Sequence, residues 1–250
     1  MVDALNARIE EAALNAWPAP RQMVYDGWLL RFAGGYTKRA NSVNVHTSSS
    51  LPLDEKIRYC EKVYAEQGLP LIFRLPEFMT TKELEAALTR HGYMPFDPTL
   101  VMGCEISTSE NLPEGCDVEE LTINAWINLR AALTETPLSQ WEIHQSILNV
   151  IIPQKVLMGL SFEGNPVACG MAVLDEDLLG YFSIYTRESM RRRGFGQVMM
   201  HALTRWGMEH GASYAYLQVE GDNLAAQSMY WKLGFKDSYR YLYRKRSTHT

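Results

Sequence analysis

The spacing of hydrophobic and polar residues alternates between a helical period and a strand period, which predicts a mixed α/β (α+β) fold. The first helix is predicted from about Ala4 to Trp17, ending before Pro18. Strand patterns follow over residues 22–34 and 40–46, a helix over 53–68, a strand over 69–75, a helix over 81–94 and a strand over 97–106.

Residues 107–115, STSENLPEG, interrupt this periodicity with Pro, Gly, Asn and Ser, and we predict a linker there. The pattern then predicts helices over 122–134 and 138–150, strands over 155–164, 166–175 and 178–186, a helix from about 195, a strand over 213–220, a helix over 223–234 and a final strand over 235–245. The chain therefore divides into predicted domains at 1–110 and 111–250.

The two parts follow a similar order of elements. In each, a strand and a helix lead to a glycine–aromatic pair, Gly92-Tyr93 or Gly234-Phe235, and then to another strand. This order predicts a duplicated fold. Because the helix–glycine–aromatic–strand join is common, chance similarity stays open as the alternative.

Composition narrows the class of protein. A net charge of −5 and a pI near 5.7 argue against a general binder of nucleic acids or anionic membranes. The first residues have neither the basic start nor the apolar core of a signal peptide, and no run reaches the ~18 apolar residues of a membrane span. The four cysteines are widely spaced, which favours buried reduced thiols over metal ligands. We therefore expect a cytoplasmic protein without a metal.

A candidate anion site lies in MRRRGFG, residues 190–196, between a strand and a helix. The first turn of a helix has unpaired N–H groups and partial positive charge. Gly194 and Gly196 lack the Cβ atoms that would keep a phosphate away from those groups. The alternative is an ordinary turn with solvated arginines ahead of an amphipathic helix.

A second motif follows in LQVEGDNLAAQSMYWKLGF, residues 217–235. A strand ends at Glu220, Asp222 or Asn223 can cap the next helix, and Tyr230 falls on that helix's inward face. On these residues alone, Asn223 could be only a cap and Tyr230 only a core aromatic.

Together the two motifs resemble the signatures of the GNAT superfamily of acyl-CoA-dependent N-acyltransferases. Arg191-x-x-Gly194-x-Gly196 matches Q/R-x-x-G-x-G/A, and Asn223, Ala226, Tyr230 and Gly234-Phe235 match the second signature. The resemblance covers roughly 113–250. It implies a mixed, mostly antiparallel central sheet flanked by helices, with acetyl-CoA (coenzyme A) as co-substrate and no metal.

The resemblance also implies roles for individual residues. Tyr230 would be the acid that protonates the departing thiolate, and Asn223 would contact the coenzyme arm. The residues expected to bind the coenzyme are Ile184, Thr186, Arg191, Arg192, Arg193, Gly194, Phe195, Gly196, Gln197 and Asn223. Glu220, at the end of its strand near Asn223, is our candidate base; the alternative is a solvated carboxylate.

The first part departs from the family pattern. When Gly92-Tyr93 is aligned with Gly234-Phe235, Leu88 stands opposite Tyr230, and the arginine and glycines of the phosphate turn have no counterpart. We interpret it as a degenerate copy with a structural or substrate-shaping role. Its candidate substrate contacts are Trp28, Arg31, Arg39 and Asn41, although a plain sheet would show much the same pattern.

The sequence thus predicts an N-acetyltransferase that moves an acetyl group directly to a primary amine. We expect a small-molecule acceptor, and neither a nucleic acid nor a membrane as partner. The oligomeric state is open, a homodimer being one of the states allowed. Two alternatives remain: a non-catalytic acyl-CoA sensor or scaffold, and an acetyltransferase of protein lysines or N-termini.

Overall fold

A computed structural model describes residues 4–47, 50–106 and 111–246. Its helices are α1 (Ala4–Ala16), α2 (Leu53–Glu66), α3 (Lys82–Arg90), α4 (Ile123–Thr134), α5 (Glu142–Asn149), α6 (Phe195–Glu209) and α7 (Leu224–Lys232). Its strands are β1 (Arg21–Tyr25), β2 (Trp28–Phe32), β3 (Val43–Val45), β4 (Ile72–Pro76), β5 (Tyr93–Glu105), β6 (Cys116–Glu120), β7 (Gln154–Phe162), β8 (Asn165–Asp175), β9 (Leu178–Thr186), β10 (Tyr214–Glu220) and β11 (Lys236–Arg246).

Over these described ranges, eleven strands form one sheet in the order β1-β2-β3-β4-β11-β5-β10-β9-β8-β7-β6. Pairing is parallel between β3 and β4 and between β9 and β10, and antiparallel elsewhere. The expectation of a mixed, mostly antiparallel sheet flanked by helices is confirmed.

The predicted elements are present, except that the strand pattern over 22–34 forms two strands, β1 and β2, joined by a turn at Asp26-Gly27, and that β6 was missed. It is a short edge strand, CDVEE, which pairs with β7 alone among the described strands, and most of its residues are exposed or half-buried. A short, charged edge strand has little apolar alternation, so periodicity did not reveal it. Residues 107–110 of the predicted linker lie outside the described residues.

The strands of the two predicted domains alternate at the centre of the sheet. β5 lies between β10 and β11, while β11 lies between β4 and β5. The last strand of each predicted copy is therefore inserted next to strands of the other copy. The domain boundary at 110/111 stays a prediction.

The second part of the sheet is buried on both faces, as β8 shows. Cys169, Met171 and Val173 belong to a core with α1, α4 and α5, whereas Ala168 and Ala172 belong to a core with α6. Alternate residues of a strand point to opposite faces, so helices cover this strand on both sides. A third core, in the first part, joins α2 and α3 to β2 and β4.

Helix α1 is also fixed by a buried ion pair. Arg74 on β4 is fully buried and donates to both carboxylate oxygens of Glu10, one of them at 3.0 Å. The hydroxyl of Tyr239 on β11 donates to the same carboxylate at 2.7 Å. Residues of α1, β4 and β11 thus meet at one buried group.

Within the described ranges, no helix combines the length and apolar character needed to cross a membrane. The cysteines are free: Cys60, Cys116 and Cys169 are buried, and Cys104 is half-buried. Among the described residues there is no group of three His, Cys, Asp or Glu residues that could hold a metal ion.

Candidate active site

The centre of the sheet opens where β9 and β10 separate. Their parallel pairing runs from Leu178 and Tyr214 to Tyr181 and Leu217 and then stops, although both strands continue. At this point Ser183 has a φ of 53°, and the register of β9 against β8 shifts. Such a bulge redirects a strand and interrupts its ladder. The result is a cleft between the carboxyl ends of β9 and β10.

Two adjoining cavities occupy this cleft. The Arg130 cavity, of about 330 Å³, includes Arg130, His144, Phe182 and Ile184 in its lining. The Glu220 cavity, of about 400 Å³, includes Asp97, Glu220 and Asn223. Four residues line both cavities and mark the place where they meet: Thr37, Arg39, Gln218 and Tyr230.

The turn that leads into α6 presents free backbone donors. Arg192 and Gly194 both have positive φ, 62° and 86°, and Gly194 is the N-cap residue. No acceptor within the described ranges takes a hydrogen bond from the N–H groups of residues 192–196. These N–H groups and the helix dipole favour an anion.

The two glycines leave room at this turn. A Cβ on Gly194 would meet nothing within 4 Å, and one on Gly196 would lie 3.7 Å from Met229 Sδ and 3.8 Å from Thr186 Oγ1. The packing of the protein therefore does not itself require glycine at 196. A phosphate group approaching these N–H groups would use the space that a side chain would fill, so the turn fits the pyrophosphate of coenzyme A.

The three arginines of the turn are exposed but differ in their contacts. Arg191 Nε donates to the Thr186 carbonyl oxygen at 3.4 Å, and its guanidinium lies 5.5 Å from the centre of the Tyr185 ring. Arg193 lies over the rings of Phe162 and Phe195. Phe195 is buried, and Gln197 begins the hydrogen-bonded part of α6 by donating to Gly194.

Asn223 and Tyr230 occupy the two ends of α7. Asn223 is exposed and caps the helix, its side-chain oxygen accepting from Ala226 N at 3.1 Å. Tyr230 packs edge-on against Phe235, and burial raises its pKa. Its hydroxyl has no hydrogen-bond partner in the described part of the chain, which leaves a protonated donor beside both cavities.

Glu220 is exposed at the end of β10, and its side chain lines only the Glu220 cavity of the two. Its carbonyl oxygen accepts hydrogen bonds from Asn223 N and Gln227 Nε2 and so joins β10 to α7. Its role as a base stays a prediction.

Of the four first-part residues predicted to contact substrate, Arg39 lines both cavities. The others have structural contacts. Trp28 packs in the core against Phe73, and Arg31 donates to the carbonyl oxygens of Leu14 and Trp17. Asn41 accepts hydrogen bonds from two N–H groups of the 33–35 turn.

Sequence reasoning missed most of the residues that line the Arg130 cavity, among them five with polar or aromatic side chains. They come from distant segments of the chain: Trp17, Tyr36, Arg130, Trp141 and His144. The one available signal was their polar and aromatic character within apolar stripes.

His144 is the most enclosed of them. It is 2% exposed, and its Nδ1 lies 2.8 Å from the Tyr36 hydroxyl. Burial, helped by the charge of Arg130, lowers its pKa to about 4, so the ring is neutral near pH 7. A neutral ring adds no positive charge beside the arginines.

A family model described as "Probable histone acetyltransferase Rv0428c C-terminal" matches residues 6–244, and the chain belongs to that family. It is an acetyltransferase of that family, with the GNAT fold. This acetyltransferase is 29% identical over 242 residues to the "Uncharacterized N-acetyltransferase YobR" of Bacillus subtilis (strain 168), across 95% of this chain and 97% of that protein.

Solved structures share the fold of this acetyltransferase. A GCN5-related N-acetyltransferase from Kribbella flavida matches with a TM-score of 0.73 at 17% identity, over 96% of this chain and 95% of the other. A tandem GNAT protein from the clavulanic acid biosynthesis pathway matches with a TM-score of 0.66 at 10% identity, over 81% and 74% of the two chains.

Proposed function

We propose that this acetyltransferase moves an acetyl group from acetyl-CoA directly to the primary amine of a small-molecule acceptor. One observation carries the proposal: the Tyr230 hydroxyl has no partner in the described ranges and lines the cleft at the open ends of β9 and β10. A protein that only binds acyl-CoA has no need of such a proton donor.

The residues around the α6 turn would hold the coenzyme. The free N–H groups of residues 192–196 would bind its pyrophosphate, with Arg191, Arg193 and Gln197 nearby. Ile184 and Thr186, on the bulged end of β9, would adjoin the pantetheine arm, and Asn223 would contact it from α7. These assignments rest on the fit of the turn and on the family motif.

Acetyl-CoA supplies a thioester, whose carbonyl carbon forms the new C–N bond as the C–S bond breaks. Tyr230 would give its Oη proton to the departing thiolate sulfur, because burial keeps the hydroxyl protonated. Glu220, or water, would take the proton that the amine loses. Backbone N–H groups that face the developing oxyanion in such sites contribute about 3–4 kcal/mol.

The size of the site supports a small acceptor. The Arg130 cavity, at about 330 Å³, lies at the lower end of the ~300–1,000 Å³ that small-molecule sites occupy. The family description names histones, so a protein lysine is the second candidate acceptor. The exposed carboxylate of Glu220, in the Glu220 cavity, is the observation that favours it.

Thiol release provides the test. The full chain would be incubated with acetyl-CoA and, in parallel, with small primary amines, a histone-tail peptide and no acceptor, while calorimetry measures coenzyme binding. We expect amine-dependent thiol release with small amines. Binding without release in any arm would indicate a sensor, and release with the peptide alone would indicate a protein acetyltransferase.

A further inference from the structure

Among the described residues, the Arg130 cavity is lined by two guanidinium groups and by no carboxylate. Arg39 forms neither a hydrogen bond nor an ion pair with any described residue, and its Nε is fully buried. Its guanidinium lies over two rings, 5.8 Å from the centre of Trp17 and 5.6 Å from that of Phe182. Two aromatic rings therefore hold the Arg39 guanidinium in place, and no described residue accepts a hydrogen bond from it.

Arg130 approaches the same strand bulge from α4. Its Nη1 donates to the Ser183 carbonyl oxygen at 3.1 Å, and the guanidinium stacks on Tyr185 at 4.3 Å. Among the described residues it has no carboxylate partner, and its Nε is buried without a hydrogen bond. Arg39 thus lies over the Phe182 ring, and Arg130 binds the carbonyl oxygen of the next residue, Ser183.

Another donor in the lining of the cavity lacks an acceptor among the described residues. Gln218 accepts from the Tyr241 hydroxyl at 2.8 Å, and its Nε2 is buried with no acceptor in the described ranges. Buried donors without acceptors cost free energy, and like charges in a partly dehydrated site repel. A bound anion would satisfy both the donors and the charges.

We propose that the acceptor is a small amine that also carries a carboxylate, and that Arg39 and Arg130 hold this carboxylate in the Arg130 cavity. This inference rests on the proposed function, since it specifies the acceptor of that reaction. Tyr230 lines the same cavity, so a carboxylate bound there would keep the amine of a compact molecule close to the acid. The aromatic lining of Trp17, Trp141 and Phe182 would pack against its apolar part.

A carboxylate could also come from the acyl chain, if the donor were a dicarboxylic acyl-CoA. The arginines would then bind the donor, and the acceptor would need no carboxylate. Binding in the absence of any acyl group distinguishes the two sources. An amino acid binds under that condition only if the cavity holds the carboxylate of the acceptor.

The test uses the standard L-amino acids, together with the decarboxylated amines of Phe, Trp, Leu and Lys. Calorimetry would measure their binding to the full chain saturated with coenzyme A, and thiol release would measure turnover with acetyl-CoA. We expect at least one amino acid to bind and react at least about 10-fold better than its decarboxylated partner. The loss of a charge-assisted hydrogen bond has an effect of this size or more.

Two variants and a control assign the effect to the cavity. Arg39→Gln and Arg130→Gln should weaken binding of the amino acid about 10- to 100-fold and change that of the decarboxylated amine less than about 3-fold. The exposed Arg58 on α2 provides the matched control, Arg58→Gln, which should behave like the wild type. Because Arg39 makes no hydrogen bond within the described ranges, we expect its variant to fold, and unchanged coenzyme A binding would check this.

The outcomes separate this inference from the proposed function. The inference is overturned if no amino acid binds or if decarboxylated amines react as well as the amino acids. It is also overturned if thiol release with the decarboxylated amines is faster with succinyl-CoA, a dicarboxylic acyl-CoA, than with acetyl-CoA. In those cases, thiol release with amines would still support the proposed function. Amino acid binding without thiol release in any arm would instead contradict the proposed function and leave the carboxylate site in place.

Discussion

The Arg39 guanidinium lies 5.6 Å from the centre of the Phe182 ring, so a loop of the first part of the chain packs on the bulged strand of the second. The same loop brings Tyr36 to His144, 2.8 Å apart. The Arg130 cavity is therefore built by both parts of the chain. A first part without the coenzyme motif still shapes the site.

Tyr230→Phe should lower kcat about 100-fold or more, because proton transfer by a positioned acid contributes ~10²–10⁴-fold. The ring and its packing against Phe235 are retained, so the Kd for acetyl-CoA should change less than about 3-fold. Steady-state kinetics and calorimetry measure the two quantities. Tyr59→Phe, on the surface of α2, is the matched control. Unchanged turnover across the pH range would remove Tyr230 from the mechanism.

Gly196→Val should weaken coenzyme A binding about 10-fold or more while leaving the protein folded. A Cβ at this position would make only ordinary contacts with Met229 and Thr186, and the two γ-methyl groups of valine would fill space beside the N–H groups that a phosphate needs. Calorimetry with coenzyme A checks the affinity, and the melting temperature checks the fold. Wild-type affinity in this variant would place the pyrophosphate elsewhere.

Glu10→Gln should lower the free energy of unfolding by about 3–5 kcal/mol, because it leaves the fully buried Arg74 without its counter-charge. Urea denaturation measures the change. Glu66→Gln, which removes an exposed pair with Lys62 at 3.9 Å, should change stability by less than about 1 kcal/mol. Equal effects of the two substitutions would show that the buried pair has no special contribution.

His144 should make stability depend on pH. Its pKa falls to about 4 in the folded protein from 6.5 in the unfolded chain, so the unfolded chain binds the proton more tightly. The stabilisation is complete above about pH 6.5 and is lost as pH falls to about 4, by roughly 3 kcal/mol.

His144→Gln should remove this part of the slope, since glutamine does not titrate but can still accept a hydrogen bond from Tyr36. Urea unfolding at pH 7 and at pH 4.5 would compare the variant with wild type. The exposed His46 gives the control, His46→Gln, which should keep the wild-type slope. A His144→Gln slope equal to that of wild type would contradict the assignment.

The backbone geometry of the turn before α6 could be predicted from the sequence because its determinants are local. The spacing of Gly194, Gly196 and Tyr230 within two helices and their caps is a property of consecutive residues. The Arg130 cavity could not be predicted in this way. Trp17, Tyr36 and His144 meet only after the sheet has formed, and a buried histidine in an apolar stripe looks like a core residue. The order of the strands in the sheet could not be predicted either, because hydrophobic alternation does not specify which strands are neighbours.

The position of β5 between β10 and β11 has a consequence for how the chain can change in evolution. The first part lacks the acid and the phosphate turn, so selection for acetyl transfer does not preserve coenzyme chemistry there. Deleting it would nevertheless leave unpaired edges on two inner strands of the remaining part, one of them directly beside the cleft. Its sequence is therefore free to diverge where the coenzyme motif has no counterpart, whereas the segment itself has to be inherited together with its partner.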